Sequence, residues 1–439
     1  MKKAILGIVS MLFLIGAAGC GSEKQTASVR YWNTKPEVAD VWEKIADEYY
    51  AETGVEVEII NPPTNSSDST IKSAIAKRNP PTLFKLSGQT AYNDWKAYCR
   101  DLSDTDLYSW VVDKSMVVTD ESGNGAYAIP YVVEGYGIIY NDEIMQRYFS
   151  LGSKSTSYNS MAEINNFDKL KEVVEDMTAH KSELGIKGVF ASTSFASGED
   201  WRWQTHLMNM PIYAEYADKN IVNTDNLEFT YSENYKNIFD LYLDNSVCDR
   251  KDIGSVTVDQ SMAEFARGEC AMVQNGNWGW GQISSADGNI VTEENCKYLP
   301  IYTGLSNDEE QGLCIGTENY VAVNTLASEE DQLASIAFLE WLYSSDVGKS
   351  YVTNELQFIT VFNTFSASEA PSNPLAVEVS SYLNDTSKSS VPWNFTSFPG
   401  QEFKDGLSDH LYAYATGQEG WEKVDEYVVQ KWAEMKSGE

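Results

Sequence analysis

Along the 439 residues, apolar positions recur in two rhythms that alternate from one end of the chain to the other. Residues 29–33 read as a strand, and Thr34-Lys35-Pro36-Glu37 has the form of a capping box with an early proline. Val38, Trp42, Ile45 and Tyr49 then recur at i, i+4, i+7 and i+11, the stripe of an amphipathic helix that Gly54 ends. Residues 55–60 alternate as a second strand. This strand–helix–strand unit predicts a right-handed crossover in a parallel sheet, whose ligands sit beyond the carboxyl ends of the strands. Topology alone therefore makes residues 32–37 a candidate ligand loop.

The alternation continues. Residues 71–78, 167–179, 235–243 and 261–267 carry helical patterns; 82–86, 136–140, 188–192, 270–273 and 320–324 read as strands. Residues 328–343 form a further helix with Leu333, Ala337, Phe338, Trp341 and Leu342 on its apolar side. Residues 401–436 make two helices around Gly417-Gln418-Glu419-Gly420. The fold class is α/β. The chain is too long for one core, so two domains are expected.

Charge narrows the partners. Against 65 acidic side chains stand 32 basic ones, a formal charge of −33. A field of that sign repels phosphate backbones and anionic lipid, which argues against nucleic acid and against basic membrane patches. The first residues read as an address: Lys2 and Lys3, an apolar stretch over 4–15, then Gly16-Ala17-Ala18-Gly19-Cys20. This segment resembles a bacterial lipobox, with Ala17 where Leu is usual. The resemblance implies cleavage before Cys20, lipid attachment to that thiol, and a short polar tether at 20–28. Cys99, Cys248, Cys270, Cys296 and Cys314 show no metal or redox spacing and are expected to be free.

Several ordered motifs carry a family likeness. They are Thr53-Gly54-Val55; Pro81-Thr82-Leu83-Phe84; Tyr127-Ala128-Ile129-Pro130; Glu134-Gly135-Tyr136-Gly137; and Phe265-Ala266-Arg267-Gly268-Glu269 running into Asn275-Gly276-Asn277-Trp278-Gly279-Trp280. Ser345-Asp346-Val347-Gly348 completes the set. Together they resemble family 1 extracellular solute-binding proteins, most of all the maltose and multiple-sugar type of ABC importers. The resemblance implies a two-lobed periplasmic-binding-protein-like fold, with a ligand cleft between lobes joined by three crossings. It maps one lobe to 29–132 and 316–362, and the other to 133–315 and 363–439. It also implies an oligosaccharide ligand, with α-glucans such as malto-oligosaccharides first and raffinose-type α-galactosides or fructo-oligosaccharides as alternatives. The implied protein is a monomer on the outer face of a Gram-positive membrane, delivering to permease subunits.

A neutral sugar has weakly apolar C–H faces that stack on indoles, and hydroxyls that both donate and accept. The site should therefore mix Trp and Tyr with carboxylates, amides and Arg in strand-end loops. Trp278, beside Asn277 in a glycine-rich turn, is the strongest candidate platform, ahead of Trp280. Asp200-Trp201-Arg202-Trp203 concentrates the same chemistry, with the choice between the two rings open. Trp32, Asn33 and Lys35 form the first loop, Gln89 and Tyr92 the next, and Glu134 and Tyr136 lie at the first crossing. Trp393, in Pro392-Trp393-Asn394-Phe395, is the last candidate, while Trp42 and Trp341 sit on helical stripes and read as core.

No phosphate-binding loop, dinucleotide fingerprint or nucleophile elbow is present, and His180, His206 and His410 lack ligand spacing. No metal, cofactor or catalytic residue is expected. A surface glycosidase or an open lectin remains the rival class.

Overall fold

The computed structural model of the protein describes residues 27–62, 68–366 and 368–438; the leader, Cys20 and most of the tether lie outside them. β1 (Ser28–Trp32) pairs in parallel with β2 (Glu56–Ile60) through the helix Ala39–Thr53, which closes on Gly54 at φ 74°. That helix buries Trp42, Ile45, Ala46 and Tyr49. The capping box expected at Thr34–Glu37 does not form. A 3₁₀ turn, Pro36–Val38, precedes the helix, and the Lys35 side chain makes no cap bond; it turns inward to the Glu134 carboxylate.

β3 (Leu83–Leu86), β4 (Ile129–Pro130) and β9 (Tyr320–Val323) complete the first sheet in the order β2-β1-β3-β9-β4. The second sheet runs β10 (Ser389–Val391), β8 (Gln311–Gly316), β5 (Glu134–Asn141), β6 (Met272–Gly276), with β7 (Cys296–Leu299) also on β5. The chain passes between the sheets from β4 to β5 and returns from β8 to β9. It passes a third time between helix Glu329–Ser344, packed on β1, and helix Pro374–Asn384, packed on β5, β7 and β8. Val133 N–H donates to Ile359 O at 2.7 Å, tying the first passage to the third. One buried cluster lies with the first sheet (Trp32, Phe84, Trp95), one with the second (Tyr136, Phe239, Trp432), and a third joins both, from Val29 and Leu83 to Ile139 and Leu313.

Two expected elements differ. Residues 188–192 make only single bridges, through Phe190 to Ser246 and Met272. Polar groups just beyond are taken elsewhere: Ser192 bonds the Glu264 carboxylate, and Ser194 accepts from Arg202. On helix Glu329–Ser344, Leu333 is 52% exposed, while Gln332, Ser335, Ile336 and Leu339 face inward. Ser335 donates to Thr82 Oγ1 at 2.7 Å and Gln332 to Ala327 O at 2.8 Å, so a polar line sets the helix's rotation. All five described cysteines are free thiols, Cys248 half-buried and the others buried.

Candidate functional site

The second sheet delivers Trp278. β6 ends at Gly276, and the 3₁₀ turn Asn277–Gly279 folds the indole back over it. A Cβ on Gly276 would lie 2.1 Å from the Trp278 ring, so only glycine allows this fold-back. Gly276 thus lets the indole pack against the backbone of its own turn, where any side chain would exclude it. Trp393 is seated the same way on Gly316, whose Cβ would meet the indole Cγ at 2.7 Å.

A π-helical turn, Arg202–Leu207, supplies the next wall. Its i→i+5 bonding, seen in Met208 N–H to Trp203 O, brings Trp201 and His206 to one face. Their rings meet edge-on at 5.0 Å, and His206 stands 5.7 Å from Trp278, 5.4 Å from Phe395 and 6.2 Å from Trp393. Trp278 lies 6.3 Å from Trp201 and perpendicular to Trp393 at 6.4 Å. Tyr136 is the floor: its ring stacks on His206 at 4.3 Å, and its hydroxyl donates to His206 O. Burial holds the His206 imidazole down to about 3, so the hub of this cluster is neutral at pH 7. Neither His206 Nδ1 nor Trp393 Nε1 has a protein partner.

Charged groups face these rings from the first sheet and the passages. Lys85 on β3 pairs with Glu318, between β8 and β9, at 3.3 Å. Protein surrounds Glu318 on most sides, and its side chain keeps 36% exposure, the situation of a group in a cleft. Burial alone would raise its carboxyl; Lys85, Lys404 and His206 outweigh that and hold it at about 2. Deeper, Lys35 Nζ lies 2.7 Å from Glu134 Oε1, and Asn319 donates to Glu134 Oε2 at 2.7 Å. Burial pushes the Glu134 carboxyl up against the pull of Lys35, while Glu134 and Glu37 keep Lys35 firmly protonated. Gly88 after β3 approaches Thr396 from the opposite sheet, 3.4 Å from where its Cβ would be. The two sides therefore touch across the cleft.

Of the residues marked by the sequence, Trp201, Trp278, Trp393, Tyr136, Glu134 and Lys35 lie at or beneath this junction. Others do not come together there. Trp203 is 4% exposed, donates Nε1–H to Ser194 O and packs on Phe239 and Tyr242. Arg202 is spent on Gln274 O, Ser194 and Ser261, and burial lowers its pKa to about 10. Asp200 accepts from Ser408. These three brace the turn that carries Trp201. Trp32 packs with Phe84 and Trp95, and Asn33 bonds Asn61 and the Lys35 backbone. Tyr92 stacks on Tyr127 at 5.0 Å, and exposed Gln89 clamps both backbone groups of Thr119. Asn277 accepts from Gly135 N–H at 2.9 Å. Trp280 packs half-buried on its own side of the turn.

The sequence did not single out His206, Lys85, Glu318, Lys404 or Phe395. His206 is brought beside Trp201 by the π turn, which a 3.6-residue rhythm cannot anticipate. Glu318 follows a strand end directly, and that was its available signal. A separate cavity of about 520 Å³, lined by Arg30, Arg78 and Asp331, opens at the amino end of β1, away from these groups; Arg30 there is committed to Asp331 at 3.0 Å. Among the described residues no His, Cys, Asp and Glu cluster fits a metal, and no helix is long and apolar enough to cross a membrane.

Solved structures share this fold at low identity. A chitin oligosaccharide binding protein matches with TM-score 0.72 and 16% identity over 95% of this chain and 100% of its own. The apo form of RafE from Streptococcus pneumoniae matches with TM-score 0.66 and 15% identity, over 95% and 100%. Maltose-bound MalE3 of T. maritima matches with TM-score 0.66 and 16% identity, over 93% and 98%. The profile described as "Bacterial extracellular solute-binding protein" covers residues 44–378, most of the chain. Its members bind solutes and are not enzymes, and this protein belongs to that family.

Proposed function

We propose that this protein captures an oligosaccharide in the cleft between its two sheets and hands it to the membrane permease of an ABC importer. The observation behind this reading is the ring cluster of Trp201, His206, Trp278 and Trp393 set against Lys85 and Glu318. Indoles stack on the C–H faces of a sugar, and the charged pair bonds its hydroxyls. Several rings in one cleft suit several sugar units. Malto-oligosaccharides are the first ligand to try, with raffinose-type α-galactosides and fructo-oligosaccharides beside them. The neighbours' names, which include maltose, raffinose and chitin oligosaccharide, support a sugar and span more than one class.

In this reading Cys20 carries the lipid, and a monomer works on the outer face of a Gram-positive membrane. Residues 29–132 and 316–362 form one lobe; residues 133–315 and 363–439 form the other. Ligand favours the closed arrangement of the lobes, which the permease recognises. Titration calorimetry against a panel of purified oligosaccharides tests the assignment. At least one neutral oligosaccharide should bind and make the protein more compact in small-angle scattering. A panel with no binder, or release of reducing ends from a bound sugar, would sink it.

A further inference from the structure

Trp278 does not hang from its strand alone. The residue before it, Asn277, is 3% exposed and held from two directions. Its Oδ1 accepts from Gly135 N–H at 2.9 Å, at the end of the first passage between the sheets. Its backbone oxygen accepts from Asn373 Nδ2 at 2.8 Å, at the end of the third passage. Asn373, 6% exposed, spends every polar group. Its Oδ1 caps helix Pro374–Asn384 by accepting from Leu375 and Ala376 N–H, at 2.9 and 3.3 Å. Its own N–H donates to Gln357 Oε1 at 2.9 Å. Gln357 lies within the third passage, sits at φ 56° and donates Nε2–H to Asn354 O at 2.7 Å. A non-glycine residue in that region persists only where its surroundings hold it there.

We propose that Asn373 is a positioning residue that couples the state of the hinge to the seat of the ligand. The bonds Gln357–Asn373, Asn373–Asn277 and Asn277–Gly135 join the first and third passages through the turn that carries Trp278. Gly135 and Asn277 ride with the second sheet, so rotation of one sheet against the other acts on this series through its Gln357 end, in the third passage. The indole platform is therefore set for ligand by the arrangement of the lobes, and a bound ligand fixes that arrangement in return. The inference rests on the oligosaccharide reading for its ligand, but not for its mechanical content.

Asn373→Asp separates the cap from the coupling. A carboxylate caps a helix as well as an amide does, but cannot donate to Asn277 O. This variant should stay folded but melt somewhat lower, because a carboxylate oxygen now faces the Asn277 carbonyl. It should bind oligosaccharide at least about fivefold more weakly, and compact less in small-angle scattering with ligand. Gln357→Ala breaks the other end of the series without touching the cap or the cleft. It should speed amide exchange at residues 276–279, to which Gln357 makes no bond. Wild-type affinity and compaction in Asn373→Asp would overturn the coupling, as would unchanged exchange at 276–279 in Gln357→Ala. A wild type that binds no sugar removes the oligosaccharide reading, while the exchange experiment, which needs no ligand, still decides the coupling.

Discussion

On the side of the second sheet, Trp201, His206, Trp278, Trp393 and Phe395 contact one another through ring faces and edges, and two of their ring nitrogens have no protein partner. On the side of the first sheet and along the passages, Lys35, Lys85, Glu134, Glu318 and Asn319 form ion pairs and charged hydrogen bonds at 2.7–3.3 Å. The two sides fail in different ways when altered. Ring contacts are graded and tolerant, because each indole contributes area and stacking to whatever lies against it. A buried ion pair is all-or-none: the intact pair contributes little net stability, but removing one partner strands the other charge in a medium that penalises it. In the proposed reading, the aromatic side governs how tightly ligand is held. The polar side governs whether the passages keep their arrangement at all.

That contrast is broken most severely at Glu134. Glu134→Ala leaves the buried Lys35 ammonium with only the more distant, more exposed Glu37 carboxylate at 3.5 Å, and should cost about 3–5 kcal/mol of stability in urea unfolding. A loss below about 1 kcal/mol would show that water reaches the pair and that the polar side is not all-or-none. Next comes Trp278→Ala, which should weaken oligosaccharide binding by about 2 kcal/mol with only a small change in melting temperature. Unchanged affinity would remove Trp278 from the ligand. The third test uses pH. Burial puts the folded His206 at about 3, against about 6.5 in the unfolded chain. Between those values the unfolded state binds more protons, so this group's contribution is fully present above about pH 6.5 and lost as pH falls toward 3. The slope reaches roughly 1.4 kcal/mol per pH unit. His206→Gln should flatten the loss of stability between pH 7 and pH 5, and an unflattened profile would place the ring in water. The smallest effect is expected at exposed Gln89, whose amide is spent on the backbone of half-buried Thr119. Gln89→Ala should leave oligosaccharide affinity within about 0.5 kcal/mol, the range of surface changes remote from a site.

Much of the architecture was legible before any coordinates. The stripe Trp42, Ile45, Tyr49 and the alternation at 56–60 reported a crossover unit, because burial on one face imposes its period on the sequence. Trp278 was legible because an aromatic in a glycine-rich strand-end turn has few structural uses. The Trp201–Trp203 segment was legible only as a segment. Both indoles follow the same composition signal, yet Trp203 finds the Ser194 carbonyl in the core and Trp201 meets Trp278 and His206. Lys35 was marked as a loop residue, and the structure ties it to Glu134, 99 positions away. No local pattern carries such a pairing.

The sequence by itself determined the class of the fold, the strand ends that carry the candidate site, the acidic surface and the aromatic chemistry. These follow from periodicity and composition, which act over a few residues at a time. Only the tertiary structure decided which rings face the cleft, that a π turn sets His206 among them, and that Glu318 pairs with Lys85 beside it. It also decided that Asn373 holds the turn beneath Trp278 from 96 positions away. Those outcomes depend on which buried donor or acceptor remains to be satisfied once the sheets have packed, and that is a property of the whole chain.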